Sequence, residues 1–150
     1  MLEIGNKAPE FILPNTEGED IALSQYKGNK IILWFYPKAS TPGWTVQGQG
    51  FRDEFNKFED KNIIIIGVSA DSIKKNKNFK EKQKFQYELL SDENKEMIES
   101  YGAWVKKKMY GKEYMGISRI SYLIDEEGNI QHIFNKVKTK SHACDVLEIL

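Results

Sequence analysis

The amino-acid sequence predicts an α/β fold, with a central mixed sheet covered by helices on both faces. Three observations lead there. Residues 31–36 (Ile-Ile-Leu-Trp-Phe-Tyr) and 63–69 (Ile-Ile-Ile-Ile-Gly-Val-Ser) are continuous apolar runs, the pattern of strands buried on both sides. Each is followed by a segment that reads as helical, the first through its apolar spacing and the second as a lysine-rich stretch, as in parallel strands joined through helices. Near the end, 117–124 and 130–134 flank the turn Glu126-Glu-Gly-Asn129, a hairpin signal that adds an antiparallel pair.

Residues 1–30 read as an irregular segment with short strands, punctuated by Pro9, Pro14, Gly18 and Gly28. After strand 31–36, residues 37–43 form a loop. From about Thr45 the spacing is helical, with Phe51, Phe55 and Phe58 on one side. Strand 63–69 leads to a lysine-rich helix at 72–84. There Lys74, Lys75, Lys77, Lys80, Lys82 and Lys84 form a solvated face, because a charge run without interleaved aromatics rarely marks a nucleic-acid site. A short strand at 87–90, a helix at 93–101 and a loop at 102–116 rich in glycine, lysine and tyrosine precede the hairpin. Residues 141–150 close as a helix with Ser141 as N-cap. With no internal repeat, low-complexity tract or linker, residues 1–150 read as one domain.

Composition narrows the function classes. The 22 basic residues balance 22 acidic ones, which argues against bulk binding to nucleic acid or an anionic membrane. No apolar run reaches the roughly 20 residues that cross a bilayer, and the start lacks a secretory pattern; the expectation is a cytoplasmic protein. A single cysteine, Cys144, excludes an internal disulfide and a four-cysteine zinc site. His132 and His142 are too few and too far apart for a zinc cluster. No flavin motif or nucleotide loop appears, so no cofactor is expected. Arg52 and Arg119 are the only arginines among many lysines, which suggests that both positions need a planar, permanently charged fork.

The loop Pro37-Lys-Ala-Ser-Thr-Pro-Gly-Trp44 follows a buried strand and opens a helix. The crevice at the carboxyl ends of strands is where α/β sheets bind ligands. A helix N-terminus there offers free N–H groups and a positive dipole end to an anion. Thr41 can cap the helix or donate to a ligand. The alternative is a rigid turn, since Pro37, Pro42 and Gly43 all stiffen or bend the chain.

The run Pro37-Lys-Ala-Ser-Thr41-Pro-Gly-Trp44-Thr resembles the peroxiredoxin signature Pro-x-x-x-Thr-x-x-Cys, in the bacterioferritin-comigratory-protein or peroxiredoxin Q form Tyr-Pro-Lys-x-x-Thr-Pro-Gly-Cys-Thr. The similarity continues at Phe51-Arg-Asp53, Gly67-Val-Ser-Ala-Asp71, Leu90-Ser-Asp92, Tyr101-Gly102, the run 116–125 and Gly128, in order along the chain. The resemblance implies a thioredoxin-like fold with an N-terminal extension. It also implies a thiol peroxidase that reduces hydrogen peroxide and organic hydroperoxides in antioxidant defence. Its reductant is expected to be thioredoxin or a similar thiol, and the chain a monomer or weak homodimer. In that family a cysteine thiolate attacks a peroxide oxygen and becomes a sulfenic acid. By resemblance Thr41 holds the peroxide, Arg119 stabilises the thiolate and the developing oxyanion, and Pro37 shields the pocket.

The departure is Trp44, which takes the place of the peroxidatic cysteine. An indole offers one N–H donor and no thiolate. The resolving cysteine that some members carry five residues later is Gln49 here, which alone would suggest a one-cysteine mechanism. Cys144 is a poor substitute: Asp145 beside it disfavours a thiolate, and His142, two residues away, points elsewhere on a helix. One base change converts a cysteine codon into a tryptophan codon, and Pro37, Thr41, Pro42, Gly43 and Arg119 are intact, which points to a recent or engineered replacement. A bulky indole is also expected to leave a small pocket, with the helix starting later than Thr45 or its first turn distorted. The competing reading is a catalytically silent module that docks thioredoxin or self-associates.

Overall fold

A computed structural model describes residues 2–36, 42–118, 120–134 and 141–149, with residues 42–44, 107 and 109 by their backbone alone. The chain opens with an antiparallel pair, β1 (Ile12–Pro14) and β2 (Asp20–Ala22), and a 3-10 turn at Leu23–Tyr26. Asn15 closes the β1–β2 turn, its side-chain oxygen accepting the N–H groups of Glu17 and Glu19 at 2.9 and 3.0 Å. Then follow β3 (Lys30–Phe35), α1 (Pro42–Asp53), α2 (Phe55–Asp60), β4 (Ile63–Ser69), α3 (Ile73–Gln83), β5 (Glu88–Ser91) and α4 (Glu96–Ser100). The chain ends with β6 (Trp104–Met109), β7 (Lys112–Ile117), β8 (Ser121–Ile124), β9 (Ile130–Phe134) and α5 (His142–Ile149).

The main sheet has the order β5-β4-β3-β8-β9, parallel through β3, β4 and β5 and antiparallel at β8 and β9. This is the expected mixed sheet, and β3 shows why it is buried on both sides. Ile31, Leu33 and Phe35 point into one cluster with Phe11, Leu23, Ile98 and Tyr101. Ile32, Trp34 and the following Tyr36 point into the other, with Phe51 of α1, Phe58 of α2, Phe79 of α3 and Val146 of α5. A period of two along a strand thus feeds two helical layers. None of the described helices is long and apolar enough to cross a membrane.

Several elements differ from the sequence reading. Residues 102–116 are not a loop: β6 and β7 pair in register from Trp104↔Ile117 to Met109↔Lys112. Tyr110 and Gly111 turn the chain with φ of 52° and 78°, the double positive φ of a tight hairpin turn. The described side chains of β7 are exposed until Gly116 and Ile117, so no buried alternation marked the strand. The strand expected over 117–124 is divided, Ile117 ending β7 and Ser121 opening β8. The helix expected at 93–101 is only α4, because Lys95 before it is left-handed, with φ of 63°. The long phenylalanine helix breaks at Glu54 into α1 and α2, leaving Phe55 half-buried while Phe51 and Phe58 are fully buried.

Candidate active site

The carboxyl ends of β3, β4 and β5 lie side by side, Phe35 opposite Val68 and Ser69 opposite Ser91. The Tyr36 N–H extends the pairing by donating to the Val68 carbonyl at 3.0 Å. The start of β8 reaches the same edge: Ser121 pairs with Trp34, and the Phe35 N–H donates to the Ile120 carbonyl at 3.4 Å. One end of the sheet therefore gathers Tyr36, the residue before Pro37, and Ile120, the residue after Arg119. Pro37, Thr41 and Arg119 themselves lie outside the described residues, as does the side chain of Trp44.

α1 begins at Pro42, so the expectation that the helix would start later than Thr45 is overturned. A proline suits the first helical position: its φ is already helical, and the N–H it lacks would have no helical partner. Position 44 stands in the first turn, at the positive end of the helix dipole.

α1 is held against the sheet by close contacts. Gly48 meets the stacked Phe85–Tyr87 ring pair so closely that an added Cβ would lie 2.6 Å from Phe85 Cζ. The buried Tyr87 hydroxyl donates to the Gly48 carbonyl at 2.9 Å. Gln47 is also buried, and its Oε1 has no hydrogen-bond partner among the described residues. At the far end of α1 the Arg52 guanidinium donates from Nη1 to the Gln83 carbonyl at 2.8 Å and from Nε to Asp53 at 3.0 Å. Gln49 donates to the Gln83 side chain at 2.8 Å. Both residues tie α1 to the end of α3.

Beneath the strand ends lies a polar network that the sequence reading missed. The Tyr36 hydroxyl donates to Asn76 Oδ1 at 2.6 Å. The Ser69 hydroxyl lies 3.2 Å from the same oxygen and 3.1 Å from Asp71 Oδ2. Asn76 Nδ2 donates to Ser91 Oγ at 2.9 Å and faces the Leu90 carbonyl at 3.4 Å. Burial pushes the Tyr36 phenol far above its usual range, so it remains a donor. The available signal was Asn76 three residues before Phe79, on one face of an otherwise lysine-rich helix.

His142, the first residue of α5, is buried, with Nε2 2.9 Å from Ser121 Oγ and its ring edge-on to Phe51 and Phe134. Desolvation pushes its pKa down to about 4, outweighing the nearby Asp145 carboxylate. Ser141 stands at the cap position, its carbonyl taking the Asp145 N–H at 2.8 Å. Cys144 is exposed beside Lys57 and Leu147, apart from the buried His142.

The fold is that of a thioredoxin-like peroxiredoxin. PrxQ of Xylella fastidiosa superposes with a TM-score of 0.93 at 31% identity, covering 99% of this chain and 95% of that one. The bacterioferritin comigratory protein of Xanthomonas campestris gives 0.88 at 35%, covering 93% and 88%. In sequence, Peroxiredoxin Bcp of Bacillus subtilis is 45% identical over 99% of this chain and 95% of its own length. A putative peroxiredoxin bcp of Coxiella burnetii is 44% identical over 97% of both. The AhpC/TSA family model matches residues 4–133. The chain belongs to the AhpC/TSA family, among its Bcp and PrxQ peroxiredoxins.

Proposed function

We propose that this chain is a peroxiredoxin whose peroxidatic position is residue 44, and that tryptophan there makes it inactive as a thiol peroxidase. The observation that supports this most is the start of α1 at Pro42, the next described element after β3, which sets position 44 in the first helical turn. A thiol in such a turn has its thiolate favoured by the helix dipole. With a cysteine at 44, the thiolate sulfur attacks the terminal oxygen of a hydroperoxide. The S–O bond forms as the O–O bond breaks, and the departing oxygen takes a proton and leaves as water or alcohol. The resulting sulfenic acid condenses with one thiol of thioredoxin or a similar dithiol, releasing water and forming a mixed disulfide; the reductant's second thiolate then attacks that disulfide, frees the thiolate at position 44 and leaves the reductant as its disulfide. Thr41 holds the peroxide, Arg119 stabilises charge on sulfur and oxygen, and Pro37 keeps water out. Tryptophan has no sulfur to oxidise, so the cycle cannot begin.

The same reading makes residues 1–150 one cytoplasmic domain, monomeric or weakly dimeric. The experiment is hydroperoxide consumption with a thiol reductant, on the chain as it stands and on Trp44→Cys. No turnover is expected from the first and restored turnover from the second. A folded but inactive Trp44→Cys protein, or unaltered-chain turnover that survives Cys144→Ala, would sink the assignment. Turnover abolished by Cys144→Ala would instead move the chemistry to α5.

A further inference from the structure

We propose that Asn76 is a positioning residue: through the Tyr36 phenol it fixes the point at which β3 hands the chain on towards α1. Its relevance to catalysis rests on position 44 being the reacting position. α3 is charged over most of its surface, and of its residues only Asn76 and Phe79 are buried. Burying an amide is costly unless its hydrogen bonds are replaced, so an apolar residue would serve packing equally well. Here the amide is fully engaged. Its oxygen accepts the Tyr36 hydroxyl and lies within reach of the Ser69 hydroxyl, whose single proton Asp71 also faces, and its nitrogen faces Ser91 Oγ and the Leu90 carbonyl. One side chain thereby ties together the carboxyl ends of β3, β4 and β5. A fully satisfied buried network specifies geometry more than it adds stability.

Tyr36 is where that geometry passes to the site. Its N–H is bound to Val68, its ring packs on Trp34 at 4.9 Å and Phe79 at 5.6 Å, and its hydroxyl ends on Asn76. Pro37 follows it directly in the sequence, and α1 begins six residues after it. Asn76→Leu would strand several buried hydroxyls and read folding rather than position. Tyr36→Phe deletes the phenol oxygen alone and leaves the other Asn76 bonds in place.

The test uses two readouts. In the unaltered chain, Tyr36→Phe should raise amide hydrogen exchange over residues 36–48 about fivefold, the scale of one lost hydrogen bond, with β8 and β9 unchanged. In the Trp44→Cys background the same change should slow reaction with hydrogen peroxide by about tenfold to 100-fold, as misplacement does. Alkylation of the same thiol by iodoacetamide, which needs no peroxide geometry, should keep its rate and pH midpoint. Unchanged exchange over 36–48, or exchange raised equally across the sheet, would overturn the proposal. So would peroxide and alkylation rates that fall together. An inactive but folded Trp44→Cys parent would defeat the peroxidase reading instead, and the exchange readout would still decide this one.

Discussion

Arg52 and Arg119 are the two arginines of a lysine-rich chain, and Arg52 has a task that suits a fork of donors: one guanidinium reaches Gln83 and Asp53 at once. That leaves Arg119 as the arginine proposed for chemistry. In the Trp44→Cys background, Arg119→Ala and Thr41→Val should each lower the peroxide rate by about 100-fold to 1000-fold, the usual loss for one oxyanion donor. An unchanged rate in Arg119→Ala would remove it from the site. His142 supports a prediction about stability. Its folded pKa of about 4 lies below its ordinary 6.5, so the unfolded chain binds the extra proton between those values. Its contribution to stability is present above pH 6.5 and is lost as pH falls through the window towards 4. The shift corresponds to about 3 kcal/mol. Urea titrations of the parent and His142→Gln across that range should show a gap that closes as the pH drops; a constant gap would contradict the assignment.

Two glycines of α1 separate packing from propensity. A Cβ at Gly48 would meet Phe85 Cζ at 2.6 Å and Tyr87 Oη at 3.1 Å, whereas one at Gly50 would rest 3.6 Å from Ala143 Cβ. Alanine gains about 1 kcal/mol of helix propensity at either place. Overpacking at Gly48 costs about 1–3 kcal/mol and displaces the helix. Gly50→Ala should therefore raise the urea midpoint and Gly48→Ala lower it; shifts of the same sign would show that α1 is not pressed on the rings as described. The elements legible from sequence were those whose pattern follows burial. The apolar runs of β3 and β4 were found almost to the residue, and so were β9 and the start of α5. The β6–β7 hairpin was missed because its strands are largely exposed and its turn uses Tyr110 where asparagine or aspartate would have signalled it. Asn76 was hidden for a related reason. Among lysines an asparagine reads as surface, and only the stacking of three strand ends shows what it binds. Arg119 and Thr41 are expected from the family motif, Arg119 also from its rarity among the lysines, and both lie outside the described residues.

At the scale of the whole molecule, β3 decides cooperativity. Its alternating side chains belong to two clusters, one under α4 and the N-terminal segment and one under α1, α2, α3 and α5. Neither layer can leave without exposing half of the same strand to water, and the polar bonds at the strand ends span β3, β4, β5 and α3. The β6–β7 hairpin stands apart: Tyr110, Tyr114 and Met115 are exposed, and among the described residues it meets the core at its base, through Ile117, the half-buried Trp104 and the adjoining Ala103. Replacing residues 107–114 by an Asn-Gly turn should thus change stability by less than about 1 kcal/mol. The two-layer body should unfold in one step, as expected for a domain of this size. Far-ultraviolet circular dichroism follows the helices and strands together. Fluorescence includes Trp34, which is fully buried against Tyr36 and Phe51 in the second layer. Urea transitions followed by the two signals should coincide, in the parent and in the shortened hairpin alike. Separated midpoints, with fluorescence changing while half of the ellipticity persists, would mean that the helical layer melts alone and that β3 does not couple the two faces.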